Sequence, residues 1–292
     1  MRHLLGLSGK DSLACALLLK AHKPEIWNKL EIFTTLTGFE YPETLKWLKE
    51  VESILKPITI IDGNLPLIME KYKSQENYFL PSQQVRYCTR ESKIKPFEKY
   101  IKGDKCLLYT GIRYDEQRIG FKSNSNIESV FPLHEFKFDI AKVYTLLAGL
   151  ENSCRPPTFF WKELYQKTIR EWDTANPLFK GFVQSGLSEI QKEILFSGRT
   201  RPNCFLCFNQ RQYEVVWLCR TYPNLFEKMK QYESKEYTWI KDFPLSDLTE
   251  EKQEKIIKKR CSQLVVTIQK TSFSVQDDMF SGMTSCGLFC GK

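Results

Sequence analysis

Leu4-Leu5-Gly6-Leu7-Ser8-Gly9-Lys10-Asp11-Ser12-Leu13-Ala14 is the stretch that decides how the rest of the chain is read. A short apolar run predicts a strand, which breaks at a small polar loop. Residues 13–20, Leu13-Ala14-Cys15-Ala16-Leu17-Leu18-Leu19-Lys20, are apolar and rich in helix formers. Strand, tight loop, helix is how a chain aims backbone N–H groups and a helix N-terminus at an anion. Lys10 adds a point charge, Ser8 and Ser12 add hydroxyls, and Asp11 is placed to orient a magnesium ion or cap the helix. The loop therefore reads as a phosphate site, but the Walker spacing G-x-x-x-x-G-K-[ST] is absent.

Working outward, residues 30–36 predict a second strand, residues 41–56 an amphipathic helix opened by Pro42, residues 57–61 a third strand and residues 65–73 a helix. A fourth strand is expected over residues 105–110. Phe131-Pro132-Leu133-His134 reads as a last strand, followed by a helix capped at Asp139. Strands alternating with helices imply right-handed crossovers and a mostly parallel, doubly wound α/β sheet. Ligands of such sheets bind beyond the carboxyl ends of the strands, where the Ser8 loop and the Thr37-Gly38 turn both fall. Near Cys154 the chain breaks at Arg155-Pro156-Pro157 and turns helical, aromatic and rich in Lys and Glu, with strand character again only over residues 264–268. The expected division is 1–153, a nucleotide-binding domain, and 154–292, a helical subdomain bearing cysteines.

The 292 residues suffice for one large α/β domain with an appendage, and 42% hydrophobic with 27% charged residues is ordinary for a globular chain. No apolar run reaches the ~20 residues of a membrane span, and the first strand starts at once, so the chain is expected to be cytoplasmic and without a membrane partner. A net charge of +8, with basic clusters within residues 86–105, 199–201 and 255–260, suits polyanions from nucleotides to nucleic acid. Only His3, His22 and His134 are present, too few for a His-rich zinc hydrolase.

Four segments, in order, resemble the PP-loop ATP pyrophosphatase and PAPS (phosphoadenosine phosphosulfate) reductase superfamily. Ser8-Gly9-Lys10-Asp11-Ser12 is similar to its S-G-G-K-D-S loop with one glycine fewer. Thr37-Gly38-Phe39-Glu40-Tyr41-Pro42-Glu43-Thr44 resembles D-T-G-x-x-[FY]-P-E-T, with Leu36 where the family often has Asp. Arg86-Tyr87-Cys88-Thr89-Arg90-Glu91-Ser92-Lys93-Ile94-Lys95-Pro96 resembles R-x-C-T-x-x-x-K-x-x-P. Gly111-Ile112-Arg113-Tyr114-Asp115-Glu116-Gln117-Arg118 resembles G-I-R-x-x-E-x-x-R. The resemblance implies an adenine nucleotide alpha hydrolase-like fold and ATP with Mg2+, held by Ser8, Gly9, Lys10, Asp11, Ser12, Thr37, Gly38, Arg86, Lys93, Gly111, Arg113 and Glu116. Lys10, Asp11, Arg113 and Arg118 would then be the catalytic groups. Lys93 is expected on a helix, one turn after Arg90.

Asn203-Cys204-Phe205-Leu206-Cys207 is a C-x-x-C knuckle, and Ser285-Cys286-Gly287-Leu288-Phe289-Cys290 carries a second pair. Two such pairs are the usual economy of a four-thiolate site, so Cys204, Cys207, Cys286 and Cys290 are the candidate ligands of a 4Fe-4S cluster or of Zn2+, with Cys88 as first substitute. Cys15, Cys106, Cys154, Cys219 and Cys261 stand among apolar residues and read as core thiols. Cys286-Gly287-Leu288 also resembles the E-C-G-[IL]-H tail whose thiolate attacks sulfur in PAPS reductases, with Ser285 and Phe289 in place of the acid and the histidine.

Three functions stay open on the sequence. The first is an ATP pyrophosphatase that adenylates a substrate, for sulfur transfer or nucleic-acid modification, with a sulfur donor as possible partner. The second is a PAPS or APS (adenosine phosphosulfate) reductase that uses Cys286 and a thioredoxin-like reductant. The third is a nucleotide-binding regulatory module without turnover. A homo-oligomer is compatible with each.

Overall fold

A computed structural model describes residues 1–74, 77–118, 120–121, 126–175, 177, 180–199 and 204–273. Its centre is a five-stranded, wholly parallel sheet in the order β3-β2-β1-β6-β7, formed by β1 (Arg2–Gly6), β2 (Leu30–Leu36), β3 (Ile58–Asp62), β6 (Cys106–Tyr109) and β7 (Ile127–Val130). A minor hairpin pairs β4 (Lys73–Ser74) with β5 (Asn77–Tyr78). In a strand, alternate side chains face opposite sides, and both sides of this sheet are covered, as the doubly wound expectation requires. Leu5, Leu7, Ile32, Ile58 and Tyr109 pack with α1 (Lys10–His22), α3 (Pro42–Val51) and α8 (Ile140–Ala148). Leu4, Phe33, Ile61, Leu108 and Ile127 pack on the other side with Phe97 and Ile101 of α6 (Lys95–Ile101). Each such aliphatic or aromatic side chain contributes about 1.5–3 kcal/mol by leaving water. Strand order reverses between β1 and β6, so their carboxyl ends flank the crevice where a parallel sheet takes its ligands.

The largest core draws on both sides of residue 153. Phe39, Tyr41, Leu65 and Met69 pack with Trp172, Phe205, Trp217 and Trp239. Those C-terminal side chains come from α9 (Lys162–Ala175), the loop that leads into α12 (Gln212–Thr221), α12 itself, and the connection between α13 (Pro223–Lys230) and α14 (Glu250–Phe273). The Phe205 N–H also donates to the Phe39 carbonyl at 2.8 Å. Among the described residues no helix is long and apolar enough to cross a membrane.

Four expectations about local structure change. The last strand is β7, ahead of Phe131, and Pro132–Glu135 is a helical turn, α7: a proline with a fixed φ suits the first turn of a helix better than an edge ladder. Residues 264–268 lie inside α14, where Leu264, Val265 and Ile268 fall on one buried face, so a short apolar run was misread by period. Helix α3 ends at Val51, five residues short of the expected end, and Lys56 instead donates to backbone carbonyls of Trp27, Asn28 and Leu30. Lys93 is not on regular α-helix. Between the short α5 (Tyr87–Thr89) and α6, Arg90–Ile94 form a π-helical turn in which the Lys95 N–H reaches the Arg90 carbonyl. The cause is Pro96: it has no N–H for the Ser92 carbonyl, which turns outward against Gly63, where a Cβ would stand 2.1 Å from it. Asp139 does cap α8, its Oδ1 accepting from the Lys142 N–H at 2.8 Å.

Candidate functional site

The Ser8 loop is held by its own last hydroxyl. Ser12 Oγ accepts from the backbone N–H of Ser8 (2.9 Å) and Gly9 (3.1 Å) and donates to the Gly9 carbonyl (3.0 Å). Ser12, not Asp11, is therefore the side chain that closes the start of α1. A Cβ added to Gly9 would meet nothing within 4 Å, so the backbone there faces open space. Gly111, at the carboxyl end of β6, is the opposite case: a Cβ would come within 2.6 Å of Asp11 C and Ser12 N. Only glycine lets the chain leaving β6 press against the first turn of α1.

That contact brings the two charged motifs together across the switch point. Asp11, 3% exposed, receives Lys10 Nζ on Oδ2 at 3.0 Å and Arg113 Nη1 on Oδ1 at 3.3 Å. Arg113, also 3% exposed, turns Nε to Asp115 at 3.0 Å and Nη2 to Glu116 at 3.2 Å, and Arg118 Nη2 meets Glu116 Oε2 at 2.8 Å. Lys10, Arg113 and Arg118 thus face Asp11, Asp115 and Glu116. Burial alone would disfavour the Arg113 charge, but the Asp11, Glu116 and Asp115 carboxylates outweigh it and hold the guanidinium above its ordinary value. Tyr144 of α8 packs on this network, with Lys10 Nζ 6.0 Å from its ring centroid. Its phenol is pushed up by burial and by the Asp11 carboxylate.

One strand further, a cleft is lined by Ser8, Thr34, Thr35, Leu36, Glu40, Thr44, Trp47, Leu48 and Lys93. Glu40 fixes its rim: Oε1 accepts from the Thr37 N–H and hydroxyl, both at 2.7 Å, and Oε2 from the Gly38 N–H at 2.9 Å. Gly38 has φ +86°, the left-handed conformation that glycine adopts without strain. Arg86 is placed elsewhere, its Nε on the Gln83 carbonyl at 3.2 Å and its guanidinium 5.9 Å from the Phe208 ring centroid.

Beyond the Thr37 turn stands the knuckle. The Thr37 hydroxyl, whose proton goes to Glu40, lies 3.7 Å from Cys204 Sγ, and Cys204 Sγ donates to the Leu206 carbonyl at 3.0 Å. Burial pushes the Cys204 thiol well up, and the neighbouring Cys207 and Glu40 add to it against Lys93 and the Thr37 hydroxyl. Burial, with Cys207 beside it, likewise pushes Cys88 up to about 11, although Lys93 opposes the shift. Cys88 and Cys207 are thus near enough to act on one another electrostatically. Arg199, 4% exposed, donates to the Cys204 carbonyl and lies 5.5 Å from the Tyr41 ring centroid. The fully buried Tyr41 hydroxyl beside them has no hydrogen-bond partner among the described residues. Among those residues no three His, Cys, Asp or Glu side chains are set to hold a metal ion; Cys286 and Cys290 lie outside them.

Sequence reasoning missed Asp115, Tyr144, Thr35, Tyr41 and Arg199 as neighbours of these groups. Asp115 and Tyr41 sit inside quoted motifs and Arg199 within a quoted basic cluster; Tyr144 and Thr35 have no local signal, because separate elements bring them in. The chain matches no protein-family model and no curated protein.

Proposed function

We propose that the chain is an ATP pyrophosphatase of the PP-loop, PAPS reductase-like kind. In this reading the crevice between β1 and β6 takes the phosphates of ATP with Mg2+, and a nucleophilic oxygen of an acceptor attacks the α-phosphorus. Pyrophosphate leaves and the acceptor is adenylated. The observation that carries the reading is the meeting of the two motifs: Asp11–Arg113 at 3.3 Å, with the Gly111 backbone pressed onto the start of α1. This supports one site built from both segments, at the sheet end where such folds bind ligands. Lys10, Arg113 and Arg118 then neutralise charge on the transferring and leaving phosphates, the main protein contribution to this chemistry. The same cations are already balanced by Asp11, Asp115 and Glu116, so a divalent ion carried in with the nucleotide supplies the compensating charge.

The knuckle is proposed to hold a 4Fe-4S cluster or Zn2+ with the C-terminal pair, Cys286 and Cys290. Two thiols in one knuckle, Cys204 and Cys207, and a Tyr41 hydroxyl without a hydrogen-bond partner among the described residues support a thiolate-bound metal, and a bound cation would hold those thiols deprotonated. The proposed division of labour is 1–153 for the nucleotide and 154–292 for the metal. The net charge of +8 favours a nucleic-acid acceptor.

The test is incubation with ATP, Mg2+ and RNA or DNA, with AMP and pyrophosphate measured directly. Pyrophosphate matched in amount by AMP bonded to the nucleic acid, with free AMP only where water or a sulfur nucleophile later displaces it, and all lost on Lys10→Ala by at least about 100-fold, is the expected result. Release of ADP and phosphate instead, or turnover indifferent to Lys10, overturns the reading. Iron, sulfide and zinc content of anaerobically purified wild type and Cys204→Ala tests the metal separately.

A further inference from the structure

Two basic clusters of the sequence, residues 199–201 and 255–260, each send one arginine to the start of α12. Arg199 and Arg260 both act on Glu214, the buried carboxylate of its first turn, whose Oε2 accepts from the Arg211 N–H at 2.7 Å. Arg211 is near enough to act on Arg260 as well. Three guanidinium groups thus stand about one carboxylate, which balances one of them.

Arg260, on the face of α14 that packs on α12, is the donor left over. Its Cζ lies 4.5 Å from the Tyr213 ring centroid, a cation on the face of a ring. Its Nε is shielded from solvent, and its guanidinium makes no hydrogen bond or ion pair among the described residues. The ring takes one face, whereas the N–H donors point outward in the guanidinium plane, so stacking leaves them unused. The Tyr213 hydroxyl is buried with it, and Arg211 approaches that hydroxyl without reaching hydrogen-bond geometry. Burial holds the Arg260 charge below its ordinary value and Arg211 adds to that, against Tyr213 and Glu214. Buried donors forgo the hydrogen bonds of water until an acceptor replaces them. Forked N–H groups from two arginines with a phenolic O–H are a donor set for a tetrahedral oxyanion.

We propose that Arg211, Arg260 and the Tyr213 hydroxyl form a second anion site, where α12 meets α14, that takes a phosphate group, free or on the backbone of a polynucleotide. The site stands on the C-terminal helices and does not require the crevice between β1 and β6 to bind ATP.

Calorimetric titration of the full chain with inorganic phosphate and with a short oligouridylate, for wild type, Arg260→Gln and Lys258→Gln, tests it. Arg260→Gln removes the fork and is expected to weaken at least one of the two ligands by at least about tenfold, the effect of lost charge-assisted hydrogen bonds. Loss confined to the oligouridylate, with a salt slope shallower by about one, assigns the phosphate to a polynucleotide backbone. Loss for inorganic phosphate assigns it to the free ion. Lys258→Gln removes an exposed charge from the same helix and is expected to change neither ligand beyond about twofold. Both ligands bound by Arg260→Gln as by wild type, or neither bound by wild type, overturns the proposal. Equal weakening by Lys258→Gln and Arg260→Gln overturns it too, since diffuse charge then suffices. Should Arg260→Gln fail to fold, Arg211→Gln, at an exposed position, carries the same comparison.

Discussion

The charged crevice between β1 and β6 and the thiol knuckle beyond Thr37 are both buried, and burial acts on them in opposite ways. In the crevice each ionised group has a partner of opposite sign within hydrogen-bond reach, so Arg113 stays charged at 3% exposure. In the knuckle burial keeps Cys88 and Cys204 protonated, Cys207 adds to the effect and Lys93 opposes it. The first region is neutralised by its own ion pairs. The second is stable as it stands only while neutral, and a cation would invert its protonation. The lesson is that burial does not fix the state of a titratable group; the sign of what is buried with it does.

The comparison breaks most sharply at Arg113. Arg113→Ala leaves Asp11 and Glu116 buried without their shared cation, and unfolding in urea should show a loss of about 3–5 kcal/mol. A loss under about 1 kcal/mol would mean that the network is solvated and the contrast false. Glycine substitutions sharpen the picture on the neutral backbone. Gly111→Ala forces a Cβ to within 2.6 Å of the α1 backbone and is expected to cost about 1–3 kcal/mol, whereas Gly9→Ala enters open space and should change stability by less than about 0.5 kcal/mol. Equal costs at the two positions would remove the close approach of β6 to α1 from the account.

The knuckle supplies the third test. The folded-state pKa of Cys88, near 11, lies above the ordinary thiol value of 9.0. The metal-free folded state therefore keeps a proton that the unfolded chain has released between pH 9 and 11, and stability falls across that window. At about 1.4 kcal/mol per pKa unit the fall amounts to about 2–3 kcal/mol, and Cys88→Ala should reduce it. A denaturation series from pH 8 to 11 in the presence of a chelator measures it; an unchanged alkaline limb in the variant would place Cys88 in solvent. The smallest effect is expected at Lys10, whose side chain is 19% exposed. Lys10→Ala should alter stability by under about 1 kcal/mol while removing pyrophosphate release, which separates a functional charge from a structural one.

Much of this was legible in the sequence. The strands at residues 30–36 and 105–110, helix α1 and the start of helix α3 follow from apolar runs and proline placement, and the order of motifs put Lys10, Asp11, Arg113 and Glu116 at one end of a parallel sheet. The misread pieces are short apolar runs, residues 131–134 and 264–268, where strand and buried helix have the same composition. The π-helical turn at Lys93 was written in Pro96, but its consequence needed the facing Gly63.

Sequence by itself determined which groups exist at each strand end, because a loop, its charges and its glycines are local. Tertiary structure alone decided their partners. Asp11 and Arg113 are 102 positions apart and Thr37 and Cys204 are 167. No local pattern encodes that Tyr144 packs on the first pair or that the Thr35 hydroxyl has no hydrogen-bond partner among the described residues. Those relations arise when strand order brings distant carboxyl ends side by side, and hydrogen-bond satisfaction is a property of that packed whole.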